Sequence, residues 1–518
     1  MNTKTQHLPR IKTFLFYLLI LIFSIAYSID QDLIDADFYS RLIQGRHVIE
    51  TGVPMFNDII SYSKTHIWYD HEWLSSALFF LILTKFYTVG LTVFKGLICF
   101  FAIIIADFTV KLKNSEYRYR LAYIIIFMGL LALCGFWGRL RCQHFTFLFY
   151  PLLIFLLEKV RLKYNSRAIY FIPLLMLFWL NTHGGCMYGI GIIGLYIIGE
   201  FLNKKQYLKY IYILVPSLLV YLINPWGVDF IGFMISTLGT NRSFIAEWQP
   251  FWQVLNVLDA IIFYVFFYLF MLIVFLFHLI KTKKFDFTKI LIVVLTAVIA
   301  VKYTKFHPLF LFSAFVFMYE DFKFILDKIK FKLPINPVLI LIVISYCIYS
   351  FTHFSIKTHW YPITASLMPL QAMQFLRDNN LKGKILIDFE YSGYIAYRFY
   401  PDYTIHIDGR QEEVYTKDVI KENIDFWTLS GINPLNIVNK YMPDIILVQN
   451  KDECAELLLY GQDYYKLVYQ DERYSVFLSP ENVKFNYIYS NSIPDFSIDK
   501  FFDTSLNFKY NKKDGSKK

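Results

Sequence analysis

Between its first two apolar runs the chain reads QDLIDADFYSRLIQGRHVIETG (residues 31–52) and continues to DHEWL (70–74). Asp30, Asp32, Asp35, Asp37, Glu50, Asp58, Asp70 and Glu72 crowd into this stretch of an otherwise apolar, basic protein. Carboxylates at a membrane surface repel one another and repel anionic head groups. Gathering them has a chemical use, because they can coordinate a metal or take a proton from a sugar hydroxyl. Functional residues are therefore sought first in this loop.

The surrounding composition says what the loop is attached to. Of 518 residues, 56% are hydrophobic and 20% aromatic, and only 18% are charged, against about 25% charged in soluble domains. A mean hydropathy of +0.42 and repeated long apolar runs point to a polytopic membrane protein. The net charge of +10 sits in short loops between apolar runs. That is the pattern of cytoplasmic loops, and it speaks against a nucleic-acid partner. Six cysteines lie singly, with no CxxC pair for zinc or redox work. The first apolar run follows a basic end (MNTKTQHLPRIK) and lacks a small-residue cleavage site, so it is read as a retained helix.

Charge then threads the chain. Lys4, Arg10 and Lys12 place the N-terminus in the cytoplasm and the acidic loop outside. If Leu74–Gly90 crossed, every later basic loop would be inverted. If that run lies on the outer surface, residues 91–110 form helix two. Lys111, Lys113, Arg118 and Arg120 are then inside, as are four later basic loops. This gives eleven crossings, roughly at 13–30, 91–110, 120–138, 144–158, 168–182, 186–202, 208–223, 259–280, 287–303, 308–320 and 336–353. Residues 357–518 fall outside. No internal repeat supports an inverted-repeat transporter.

The C-terminal region changes character. KILID (384–388), YTIHID (403–408), DIILVQN (444–450), YKLVYQ (465–470) and YSVFLS (474–479) are strand-length apolar runs. Helix-like stretches at 369–380, 417–427 and 434–442 alternate with them, which predicts an α/β domain whose last two strands form a hairpin. The expected organisation is a transmembrane domain over 1–356 that includes the first outer loop (30–90), an extracytoplasmic α/β domain over 357–480, and a disordered tail over 481–518.

On this topology the unusual polar residues lie at outer helix ends: Arg139 and Arg141, Asn181 and His183, Asn224, then Lys302, Lys305 and His307. Arg242 and Glu247 sit in the outer loop 224–258. Each alone is readily structural, since polar side chains snorkel at helix ends. As a set they are harder to dismiss, because five of them are cations on the side where cations should be few. Loop carboxylates or a lipid-linked phosphate would partner them, and Arg suits bidentate phosphate binding. In the loop, Asp35-Ala-Asp37 could converge on one metal or one hydroxyl. One of the two could instead cap a helix over about 38–50. Asp408 and Arg410 (IDGR, 407–410) either form a strand-end turn with a paired arginine or contact an acceptor.

The first-loop pattern resembles that of bacterial GT-C type membrane glycosyltransferase-like proteins. Asp35, Asp37, Gly45, Pro54, Asp58, Trp68 and the Glu72-Trp73-Leu74 triplet fit it. So do R-x-Q at 141–143, W-x-N-x-H-G-G at 179–185, N-P-x-G at 224–227, E-W-Q-P at 247–250 and I-D-G-R at 407–410. It departs at Tyr39, Ser40 and Arg41, where the pattern has Trp, Trp and His, and at Cys142. The resemblance implies an α-helical polytopic GT-C-like fold of about 11 transmembrane helices with a C-terminal α/β extracytoplasmic domain. It implies inverting transfer of a sugar from a polyprenyl-phosphate donor to a lipid, glycan or protein acceptor. The setting would be the outer face of the bacterial plasma membrane. Asp35 or Asp37 would be the base or would hold a divalent metal, Mg or Mn. Arg41, Asp58, Glu72, Arg139, Arg141, Asn181, His183, Arg242, Glu247, Lys302, Lys305 and His307 would bind substrate. The rival reading is a non-catalytic protein that binds or exports a lipid-linked glycan. An ion-coupled transporter lacks its mid-helix acid, Asp107 being the nearest.

The topology makes the first prediction. Cysteine labelling or reporter fusions at Asn114 and Asn165 should report cytoplasm, and those at Asn57 and Asp402 the outer side. An outward Asn114 would refute the threading.

Overall fold

A computed structural model describes residues 10–30, 35–63, 65–114, 119–162, 166–238, 246–254, 258–329, 335–352, 368–460, 465–479 and 489–490. The chain divides into two compact units. Residues 1–33 and 91–354 form a helical unit. Residues 34–90 and 355–518 form the other. The acidic loop, expected with the membrane domain, thus packs with the C-terminal domain.

In the helical unit each of the eleven apolar runs contains a helix, from Arg10–Asp30 to Ile335–Thr352, although the run expected over 120–138 is helical only to Leu133. Among the described residues two helices are long and apolar enough to cross a membrane, Trp73–Lys113 and Ile262–Thr282. Along Leu258–Thr282 large apolar side chains face outward, Phe266 being 67% and Ile273 64% exposed. Water does not tolerate so extended an apolar surface, whereas hydrocarbon does. Inside, Arg10–Asp30 packs on Ile335–Thr352, and Phe287–Lys302 packs on both Cys186–Leu202 and His307–Phe317. Helices Asp229–Leu238 and Tyr319–Ile329 were not foreseen. The second is amphipathic, and its apolar period is interrupted by Glu320, Asp321, Lys323 and Asp327.

Buried ion pairs join the helices of this unit. Arg161 bridges Glu200 (2.8 Å) and Asp286 (2.6 Å), and Lys113 reaches Glu158 (3.3 Å). Asp107 is held by Arg120 and by the Tyr17 hydroxyl (3.1 Å). Charges buried in this way persist only when paired.

The apolar run after DHEWL is divided. Helix Trp73–Lys113 breaks at Tyr87, whose φ of 56° and ψ of −160° are not helical, and the unit boundary follows at Gly90–Leu91.

The second unit is built on a six-stranded sheet of order β2-β1-β3-β5-β4-β6. Its strands are β1 (Gly383–Leu386), β2 (Tyr403–Ile405), β3 (Ile445–Gln449), β4 (Lys466–Gln470), β5 (Tyr474–Leu478) and β6 (Tyr489–Ser490). β1 runs parallel to β2 and to β3, with Ile385 opposite both Ile405 and Ile445. β4 and β5 form the expected hairpin, which joins β3 antiparallel. β3 is apolar throughout (IILV) because helices cover both faces of a strand in such a sheet. Phe426, Ile437 and Leu458 pack on Leu386, Ile446 and Phe477. Helices Phe389–Phe399 and Glu453–Tyr460 were not read from the sequence. Of the expected disordered tail, only β6 lies within the described residues.

The first loop completes this sheet. Tyr62 N donates to Ile405 O and Ile405 N to Ile60 O, both at 2.9 Å, so the loop covers the β2 edge. Thr65 bridges Tyr415 antiparallel. Helix Ala36–Thr51 lies along Phe389–Phe399. On its other side it meets the helix that begins at Trp73, so closely that a Cβ on Gly45 would overlap the Ser76 carbonyl.

Backbone cannot yield there as a flexible side chain could. Gly45→Ala should therefore destabilise this unit by about 1–3 kcal/mol. Thermal unfolding in detergent should show a lowered Tm, and an unchanged Tm would refute the close approach.

Candidate functional site

The carboxylates of the acidic loop divide by what holds them. Arg410 is fully buried beside Asp408 (Nε to Oδ1 2.8 Å) and Asp58 (Nη1 to Oδ1 3.1 Å). Its Nη2 also donates to the Tyr415 hydroxyl (3.0 Å) and to Ser61 Oγ (3.3 Å). Burial works against the guanidinium charge, but Asp408 and Asp58 overcome it and hold its pKa well above the usual value. Ser40, from helix Ala36–Thr51, donates to Asp408 Oδ2 at 3.0 Å. IDGR is thus a buried junction between the first loop and the C-terminal strands, with Arg410 paired.

Arg41 anchors a second cluster. It meets Asp70 at 2.7 Å, Glu72 at 3.2 Å and Glu413 at 3.4 Å, and lies over the Trp68 ring. Burial raises the pKa of the Glu72 carboxyl. Arg41 and His71 oppose that shift, and Glu413 and Asp70 add to it.

Asp35 stands at the N-cap position of helix Ala36–Thr51 by backbone, without a side-chain cap hydrogen bond. Asp37 lies in the first turn, and its carboxylate rests against Gly409 so tightly that a Cβ there would collide with it. The glycine of IDGR is thus what permits this approach. Among the described residues no three His, Cys, Asp or Glu side chains converge as a metal cage. A Mg or Mn ion on Asp35 and Asp37 would draw its remaining ligands from water and substrate, as Mg sites often do.

In the helical unit a cavity of about 370 Å³ is lined by Arg139, Arg141, Glu247, Lys305, His307 and His144. Phe147, Phe251, Tyr264 and Pro308 make its apolar wall. Each polar group stands at a helix end or beside one. His144 is in the first turn of Gln143–Arg161, and His307 opens His307–Phe317. Arg141 Nη1 lies 3.0 Å from Glu247 Oε2. Lys305 stands over the Trp248 ring. His144 and His307 are each only 3% exposed, and the Nε2 atom of each is buried with no hydrogen-bond partner. The Tyr264 ring packs at a tilt against His307, with ring centroids 4.8 Å apart.

The cavity thus gathers five of the residues singled out from sequence and adds His144 and Tyr264. His144 directly follows the R-x-Q motif, whose position was its only signal. Asn181, His183 and Lys302 do not line it. Asn181 donates to the carbonyls of Leu177 (2.9 Å) and Ile223 (3.3 Å). His183 Nδ1 pairs with Thr146 Oγ1 at 2.7 Å and accepts from Gly185 N. Lys302 lies over the Tyr303 ring. Arg242 lies outside the described residues. Arg41, Asp58, Glu72, Asp408 and Arg410 belong to the second unit, with Asp35 and Asp37. Chemically the cavity offers cations, two imidazole nitrogens and an apolar wall, a combination suited to a phosphate ester of an apolar chain.

No family model and no curated relative matches the sequence. The fold is similar to that of the oligosaccharyltransferase of Archaeoglobus fulgidus, a GT-C type enzyme. Against its apo crystal structure the TM-score is 0.54 at 10% identity, covering 84% of this chain and 69% of that one. The complex of that enzyme, AglB, with an inhibitory peptide and a dolichol-phosphate gives 0.53 at 10% identity, covering 85% and 70%. The form tethered to an acceptor peptide containing the NVT sequon gives 0.56 at 10% identity, covering 84% and 69%.

The two clusters should respond differently to truncation. Arg410→Ala leaves Asp58 and Asp408 as uncompensated buried charges and should destabilise its unit by about 3–5 kcal/mol. Limited proteolysis and expression level should both report this. Arg141→Ala breaks a half-exposed pair and should leave both unchanged. Normal protease resistance of Arg410→Ala would sink the assignment of that cluster to folding.

Proposed function

We propose that this protein is an integral-membrane GT-C glycosyltransferase, which moves a sugar with inversion from a polyprenyl-phosphate donor to an acceptor. The observation that carries the reading is the cavity: Arg139, Arg141 and Lys305 beside an apolar wall, within a fold shared with a solved oligosaccharyltransferase. The archaeal enzyme was solved with a dolichol-phosphate, and we extend that class of lipid phosphate to this cavity. Its acceptor peptide makes protein one acceptor class here, beside an envelope lipid or glycan.

The roles follow from charge. When the sugar leaves, negative charge gathers on the lipid phosphate, and fixed cations in a water-poor cavity stabilise it. The acceptor hydroxyl must lose a proton, and Asp35 or Asp37 is the proposed base. A Mg or Mn ion on that pair would supply a further positive charge for orienting substrate. Among the other loop carboxylates, Asp58 pairs with Arg410, and Asp70 and Glu72 pair with Arg41. The proposed setting is the bacterial plasma membrane, with eleven crossings, the N-terminus cytoplasmic and the C-terminal domain outside.

The test is transfer by the purified protein in detergent from a labelled polyprenyl-phosphate sugar. Asp35→Asn or Asp37→Asn should lower turnover by roughly 10²–10⁴-fold without altering thermal stability. Full activity of the double variant would refute the base. A protein that binds the donor and transfers nothing under any condition would be a carrier.

A further inference from the structure

Two of the cavity's cations are engaged by a single short segment. Arg141 pairs with Glu247 at 3.0 Å, and Lys305 Nζ lies 3.4 Å from the centroid of the Trp248 ring. The backbone of that segment is pinned. Thr304 donates through N to Gln249 O and through Oγ1 to Glu247 O, each at 3.1 Å. What is left free to turn is the Glu247 side chain.

Two of the protein's other ion pairs are closed to solvent. The side chains of Arg161 and Glu200 are 7% and 2% exposed, and those of Arg410 and Asp408 are 0%. Those of Arg141 and Glu247 are 36% and 37% exposed. An ion pair this open is weak and readily exchanged. Beside it the Nε2 atoms of His144 and His307 are buried without a partner, and such atoms call for a ligand.

We propose that Glu247 is a displaceable internal counter-ion that occupies Arg141 until a phosphate ester replaces it. The inference rests on the phosphate reading of the cavity given above. Displacing the carboxylate opposes every anion equally. A phosphate carried on an apolar chain recovers that free energy by covering Phe147, Phe251, Tyr264 and Pro308. Inorganic phosphate has no such chain and stays weakly bound. Glu247 therefore sets an affinity threshold that free phosphate does not reach.

The experiment is calorimetric titration of the full-length protein in detergent with farnesyl phosphate and, separately, with inorganic phosphate. Glu247→Gln should raise the affinity for both by about fivefold, the upper end for one exposed pair. High salt should shrink the gain. Glu247→Asp, which withdraws the carboxylate from Arg141 but keeps its charge, should give a smaller rise and serves if the Gln variant aggregates. Unchanged or weakened binding in both variants overturns the proposal. If Arg141→Ala abolishes farnesyl phosphate binding while the Glu247 variants change nothing, only the counter-ion role fails. If Arg141→Ala binds like the parent protein, the phosphate reading of the cavity fails with it.

Discussion

Arg410 is the group whose neutralisation the second unit cannot do without. It is a guanidinium sealed from solvent, and two carboxylates from distant parts of the chain answer it. One, Asp408, is two residues away, and the other, Asp58, comes from the first loop. Because a lone buried charge is so unfavourable, the loop and the C-terminal strands must come together or neither is stable. The backbone agrees with the charges, since residues 60–62 cover the edge of β2. Residues that look like a functional cluster in sequence are thus partly a joint.

How much of this was legible follows from what each signal measures. Strands β1 to β5 were readable because short apolar runs bounded by turn residues report burial in a sheet. The helices were readable where apolar runs exceeded a dozen residues. Helix Phe389–Phe399 was missed because FEYSGYIAYRF is rich in aromatic residues and carries a glycine. Helix Asp229–Leu238 was hidden inside an expected loop because its ten residues are too few to span and too apolar to look amphipathic. The partition of the loop was not legible at all. Composition locates carboxylates along the chain, whereas pairing depends on contacts hundreds of residues apart, such as Asp58 with Arg410.

The candidate site was legible to a similar degree. Cations at helix ends expected on the outer side run against a topology rule, so Arg139, Arg141 and Lys305 could be named, and they line one cavity. Lys302 breaks the same rule yet lies over Tyr303 instead. Which way a helix-end side chain turns is decided by local packing, and the rule is blind to that. His144 escaped notice because a single histidine after a motif carries no periodic or charge signal. Only its burial without a partner for Nε2 marks it.

The second unit is discontinuous, its two segments separated in sequence by residues 91–354 of the helical unit. Asp58 and Arg410 are 352 positions apart. At roughly 5–20 residues per second of synthesis, the loop waits on the order of 20–70 s for its partner arginine. Throughout that interval Asp58 and the uncovered 60–62 edge lack the partners they find in the C-terminal segment. The acidity that first suggested chemistry therefore has a second use during biogenesis. Like charges keep a nascent segment soluble and extended, and deny its strand-forming edge to neighbouring chains, until the last third of the protein has been made.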